Sequence, residues 1–166
     1  MLCLFLFLFG LALGTGSTPN PSGDHPLKLQ RGNCPMFWYS FNSRCYKYVA
    51  TSVTWADAEF HCRSQKANLV SIHSMAEEKF VKSLIKNYDY SEPGVWIGFH
   101  DLYKEGRWIW SDGSALDFSH WRAHQPDNYK GYEHCAINKY STAHEWSDVQ
   151  CGLKYPSVCA SRLDCP

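Results

Sequence analysis

The chain has 166 residues, of which sixteen are Lys or Arg and sixteen are Asp or Glu, so its formal net charge is zero. That balance excludes the basic stripe on which nucleic-acid binding depends. The length fits one domain, and ten Tyr, nine Phe and seven Trp supply an aromatic-rich core.

The first residues, Met1-Leu2-Cys3-Leu4-Phe5-Leu6-Phe7-Leu8-Phe9, continue as an apolar run through Leu13. This run is too short to cross a bilayer and suits the core of a secretory signal peptide. It lacks the usual Lys or Arg near its start, but Ala12, Gly14 and Gly16 offer small residues for cleavage. Residues 1–16 are therefore read as a signal peptide, and the mature protein is expected to be secreted, without membrane insertion. Residues 17–33 are rich in Pro, Gly and Ser and read as a flexible tail before a domain spanning 34–160.

Eight cysteines are present, and Cys3 would leave with the signal peptide. The other seven are Cys34, Cys45, Cys62, Cys135, Cys151, Cys159 and Cys165. Dense cysteine behind a secretory signal implies an oxidising compartment and a disulfide framework. Six cysteines allow about 15 pairings, and counting does not choose among them. The odd cysteine is assigned to Cys165, in a short tail over 161–166, either as a free thiol or as an interchain bond in a homodimer.

Along the domain, Phe37-Trp38-Tyr39-Ser40-Phe41 and Cys45-Tyr46-Lys47-Tyr48-Val49 are aromatic, strand-prone runs around Asn42-Ser43-Arg44, predicting a hairpin. Thr54 with Asp57 predicts a helix start, with Trp55, Ala58 and Cys62 on its inner face. Ser74 with Glu77 repeats that signal, and Phe80, Val81, Leu84, Ile85 and Tyr88 follow at helical spacing. The pattern then changes to short strands at Val95-Trp96-Ile97-Gly98-Phe99 and Arg107-Trp108-Ile109-Trp110, punctuated by turns at Glu105-Gly106 and Asp112-Gly113. Between Ser114 and Trp146 lies a long polar region that reads as a loop, and Ser157-Val158-Cys159-Ala160 reads as the last strand. Long irregular loops inside compact domains are usually functional.

Chemistry concentrates in that loop. Gln125-Pro126-Asp127-Asn128-Tyr129 is followed by Glu133-His134-Cys135 and then by Trp146-Ser147-Asp148. Amide and carboxylate oxygens suit Ca²⁺, which takes six to eight oxygen ligands. Pro126 can fix a kink, with a cis bond as one way to do so, that turns Gln125 and Asp127 the same way. His120, His124 and His134 form a weaker Zn²⁺ candidate. No G-x-S-x-G nucleophile motif is present, and the chain is not read as an enzyme.

Trp55-Ala56-Asp57-Ala58 leading to Cys62, Ala67-Asn68-Leu69-Val70-Ser71-Ile72, Trp96-Ile97-Gly98, Trp108-Ile109-Trp110-Ser111-Asp112-Gly113, Phe118, Trp121, Cys135, Trp146, Cys151 and Cys159 occur in order. This series resembles the long form of the C-type lectin domain family, and Gln-Pro-Asp resembles its galactose-type triplet. As a short secreted chain with one such domain, the sequence is similar to fish mucus and serum lectins, the lactose-binding skin-mucus lectins of eels included.

The resemblance implies an α+β fold of two helices and two small antiparallel sheets carrying a long functional loop. It also implies three intrachain disulfides: Cys34–Cys45, Cys62–Cys159 and Cys135–Cys151. The implied principal Ca²⁺ ligands are Gln125, Asp127, Glu133 and Asp148. The same side chains would bind two hydroxyls of a galactose- or lactose-type glycan, with Tyr129 stacking on the sugar. Ser147 stands where the family has Asn, with a shorter stem and no NH₂ donor, so a weakened principal site is expected. Asp101, Glu105 and Asn128 match an auxiliary Ca²⁺ site, with Glu133 completing it and His134 replacing an acid. Two other functions known on this scaffold are ice binding and protein binding without sugar.

Overall fold

The computed structural model describes residues 28–91, 94–139 and 145–162; the predicted signal segment, most of the predicted tail and Cys165 lie outside these. Within them the chain is already docked before Cys34. Ser40 N–H donates to the Gln30 carbonyl at 2.7 Å, and Leu29 packs against the core.

The predicted hairpin forms from β1 (Tyr39–Phe41) and β2 (Arg44–Val53), in antiparallel register with Tyr39 opposite Tyr46. Asn42 and Ser43 turn it with φ of 45° and 58°, the left-handed pair that a two-residue hairpin needs. The first strand starts later than the sequence pattern suggests. Phe37 has φ 68° and is exposed, so the chain is still turning there.

Helix α1 (Trp55–Ser64) is capped by Thr54, whose hydroxyl accepts from Asp57 N–H at 3.3 Å; it buries Trp55, Ala58 and Cys62. Helix α2 (Met75–Tyr88) is capped by Ser74, which accepts from Glu77 N–H at 3.2 Å. Phe80, Val81, Leu84 and Ile85 are buried as the spacing predicts, whereas Tyr88 is half exposed and stacks on Tyr48. Two acids on the inner face of α2 have long-range partners. Glu77 accepts from Arg44 at 2.5 Å and from the Tyr46 hydroxyl. Glu78 accepts from Asn138 at 2.6 Å and from the Trp146 indole at 3.1 Å.

The remaining strands are β3 (Asn68–Leu69), β4 (Gly94–His100), β5 (Ile109–Trp110), β6 (Cys135–Lys139), β7 (Glu145–Val149) and β8 (Tyr155–Arg162). β1, β2, β8 and β3 make one antiparallel group, and β4, β5, β6 and β7 make another. A single parallel pair, Trp96 with Ser157, joins the two into one mixed sheet. β6 lies inside the stretch that the sequence reads as loop: its Cys135-Ala136-Ile137-Asn138 segment is buried and pairs on both sides, but is too short to stand out among polar neighbours.

All three implied disulfides are present: Cys34–Cys45, Cys62–Cys159 and Cys135–Cys151. The last ties the start of β6 to the turn after β7 across a separation of 16 residues. Closing a loop of about 15 residues contributes about 3 kcal/mol by restricting the unfolded chain.

An aromatic cluster seats the long loop. Phe99 stacks on Trp110 at 4.3 Å, and Trp146 meets Phe99, Trp110, Phe118 and Trp121 edge-on. Trp146 N–H donates to the His120 carbonyl at 2.8 Å, and Arg122 N–H donates to the Trp146 carbonyl at 2.9 Å. The loop therefore runs alongside β7 and delivers Gln125 beside Asp148.

Candidate cation and glycan site

The loop turns tightly into the site. His124 adopts φ 68°, Gln125 N–H donates to the Arg122 carbonyl at 2.9 Å, and the Gln125–Pro126 peptide is cis. Past the proline, backbone donors point at a carboxylate. Asp127 N–H donates to Asp148 Oδ1 at 3.1 Å, and Asn128 N–H donates to Asp148 Oδ2 at 2.8 Å. Asp148 N–H in turn donates to Gln125 Oε1 at 3.2 Å. The Gln125 amide oxygen and both Asp148 oxygens are thus fixed by backbone before any ligand is considered.

Glu133 closes the cluster. Its Oε2 accepts from Tyr129 N–H at 3.1 Å, and its own N–H donates to Asn128 Oδ1 at 3.1 Å. Asp127, Glu133 and Asp148 bring one carboxylate oxygen each within 4.8 Å of one another, with Asp148 buried, Glu133 half-buried and Asp127 exposed. Three like charges so close cost energy unless a cation is shared. The pKa of Glu133 reflects this: desolvation raises it above the ordinary carboxylate value, and Asp148 and Asp127 push it in the same direction.

Ser147 sits in β7 between Trp146 and Asp148, opposite Ile137, and is 8 % exposed. Tyr129 starts a short 3-10 turn over Tyr129–Gly131 and is 59 % exposed. One feature of its ring was not legible in the sequence. Lys130, held at φ 58°, places Nζ 5.2 Å from the Tyr129 ring centroid, a cation–π contact.

The auxiliary set is brought together only in part. Asp101 and Glu105 meet, and His134 joins them, with Nδ1 3.0 Å from Asp101 Oδ1 and 3.4 Å from Glu105 Oε2. Asn128 instead turns its side-chain oxygen to Glu133 N–H. The predicted histidine trio does not converge. Among the described residues, the acid and histidine groups of metal-ligand spacing are Asp101–Glu105–His134 and Asp127–Glu133–Asp148. His120 instead stacks on Phe118, because the loop leg that carries it packs along β7.

A disulfide-stapled α+β domain whose long loop gathers carboxylates around a cis proline is the architecture of a lectin-type recognition domain. The family model for the lectin C-type domain matches residues 51–161. The chain belongs to the C-type lectin domain family. It is 40% identical over 129 residues to ladderlectin of Oncorhynchus mykiss, an overlap of 76% of this chain and 67% of that one. It is 36% identical over 160 residues to the galactose-specific lectin nattectin of Thalassophryne nattereri, covering 96% of this chain and 95% of that one. To the lactose-binding lectin l-2 of Anguilla japonica it is 38% identical over 141 residues, covering 82% and 83% of the two chains.

Among solved structures, the C-type lectin CEL-I from Cucumaria echinata superposes with a TM-score of 0.75 at 30% identity, over 77% of this chain and 96% of that one. The herring type II antifreeze protein superposes with a TM-score of 0.72 at 37% identity, over 79% and 100%. No helix among the described residues is long and apolar enough to cross a membrane.

Proposed function

We propose that this chain is a secreted lectin for galactose- and lactose-type glycans, with Gln125, Asp127, Glu133 and Asp148 holding Ca²⁺ and contacting the sugar. The observation that carries this reading is the convergence of the Asp127, Glu133 and Asp148 carboxylates beside the Gln125 amide. Three carboxylates and an amide oxygen are the hard donor set that Ca²⁺ takes. Such an ion supplies coordination of sugar hydroxyls. The protein's own groups orient the glycan, since the carboxylate and amide oxygens accept from hydroxyl donors. Tyr129 presents an exposed ring for the apolar C–H face of galactose. The relatives named for galactose and lactose binding support the sugar class.

Ser147 weakens this site without abolishing it. The missing side-chain carbonyl and NH₂ remove one ligand and one hydrogen bond, worth about 1.5–3 kcal/mol when the partner is charged or ion-bound. Avidity then matters, and Cys165 linking two chains would supply it. The apolar leader and the dense cysteines support secretion.

Ice binding is the second reading, favoured by the likeness to the herring antifreeze protein. The loop argues for glycans instead, because Lys130, Tyr132 and Asp127 present exposed polar and charged groups where a flat ice-matching face would be needed. Calorimetry in Ca²⁺ with lactose and with a mannoside tests the proposal. Heat of binding for lactose alone supports it. No heat with either sugar, together with thermal hysteresis of the freezing point, supports the ice reading.

A further inference from the structure

The Asp101–Glu105–His134 cluster does not fit the ion that the family resemblance assigns to it. Ca²⁺ is coordinated by oxygen, usually six to eight atoms. Here one of the three converging atoms is an imidazole nitrogen, and the predicted Asn128 oxygen is turned to the Glu133 backbone instead. Two carboxylates and one imidazole are the donor set of a borderline divalent ion such as Zn²⁺, which is satisfied with three protein ligands and a water. We infer that Asp101, Glu105 and His134 form a site for a first-row transition-metal dication of the Zn²⁺ class, separate from the Ca²⁺ site proposed at Asp127, Glu133 and Asp148.

Three features distinguish this cluster from an ordinary surface ion pair. First, His134 Nδ1 lies 3.0 Å from Asp101 Oδ1 and 3.4 Å from Glu105 Oε2. A ring nitrogen carries at most one proton, so it cannot give a full hydrogen bond to both carboxylates, whereas one ion can be shared by all three atoms. Ligands about 2.0–2.2 Å from a tetrahedral ion stand about 3.3–3.5 Å apart, close to the separations seen.

Second, the Asp101 side chain is 0% exposed, and a buried carboxylate needs strong compensation. Third, the cluster is braced in advance. Asp101 Oδ2 accepts from Gly106 N–H at 2.7 Å, and Asp101 N–H donates to the His134 carbonyl at 3.1 Å. Hydrogen bonds of this kind orient ligands around metals. Because His134 lies between Glu133 and Cys135, an ion here would clamp the 101–106 turn to the point where the glycan loop enters β6.

The test uses the full chain, stripped with chelator and titrated with Zn²⁺ in calorimetry, with and without millimolar Ca²⁺. One Zn²⁺ is expected to bind and to resist Ca²⁺, and Co²⁺ is expected to give the visible absorption bands of a four-coordinate N/O site. His134→Gln and Glu105→Gln should each weaken Zn²⁺ by at least about tenfold. His134→Asp should lose Zn²⁺ and gain Ca²⁺. Near-ultraviolet circular dichroism reports that each variant remains folded. Equal Zn²⁺ affinity in the parent chain and in both His134 variants would overturn the assignment, as would displacement of Zn²⁺ by Ca²⁺. Loss of lactose binding with Zn²⁺ binding intact would contradict the lectin reading and leave this one standing.

Discussion

Asp148 holds the loop by its backbone: its two carboxylate oxygens accept separately from Asp127 N–H at 3.1 Å and Asn128 N–H at 2.8 Å. The residue that would bind the ion therefore also shapes the loop around it. In Asp148→Asn, an NH₂ replaces one acceptor and faces a backbone N–H. The substitution should cost about 1–3 kcal/mol of stability as well as lactose binding. Hydrogen exchange of the 127–133 amides should speed up even without metal. Unchanged exchange with lost lactose binding would restrict Asp148 to a ligand role.

Ser147→Asn restores the side-chain carbonyl and NH₂ that the family uses. It should raise Ca²⁺-dependent galactose affinity by about 1.5–3 kcal/mol, roughly ten- to a hundredfold. Calorimetry with no change in either metal or sugar affinity would mean that position 147 lies out of reach of both.

Tyr129 offers its ring with the Lys130 ammonium over it. Tyr129→Ala should weaken lactose by about 1 kcal/mol or more, whereas Tyr129→Phe should keep most of the affinity, because stacking uses the ring and not the hydroxyl. Equal losses in both variants would point to the hydroxyl instead.

Glu78 predicts a pH effect on stability. Burial raises its pKa to about 7, although Trp146 and Asn138 donate to its carboxylate. The folded state therefore holds this proton more tightly than the unfolded chain. The resulting stability is fully present below the ordinary glutamate pKa and is lost as pH rises through about 7. Between those limits the loss approaches about 1.4 kcal/mol per pH unit. Urea melts at pH 5 and pH 7.5 should show a smaller difference for Glu78→Gln than for the parent chain. Equal slopes would mean that Glu78 does not titrate in this range.

The helices were legible because their signals are local. Thr54 with Asp57 and Ser74 with Glu77 act across three residues, and the buried faces follow a helical period. The proposed site residues Gln125, Asp127, Glu133 and Asp148 came as a set from the family resemblance, and the structure brings the three carboxylates within 4.8 Å of one another. Their internal bonding was not legible, because it links backbone to side chain across 20 residues or more. Glu77 and Glu78 look like solvated first-turn acids, yet both are buried by partners 31 to 68 residues away. The resemblance grouped His134 with Asp101, but their direct contact, across 33 residues, became visible only in the fold. β6 was hidden because five residues in a polar context give too short a pattern to separate strand from loop.

The central claim is that the Gln125, Asp127, Glu133 and Asp148 cluster recognises sugar through a bound cation. Retention of the purified protein on lactose-coupled resin, in Ca²⁺ and again in excess chelator, tests it most directly. The account predicts retention in Ca²⁺ and release by chelator. Retention that survives chelation, or no retention in either buffer, would contradict it.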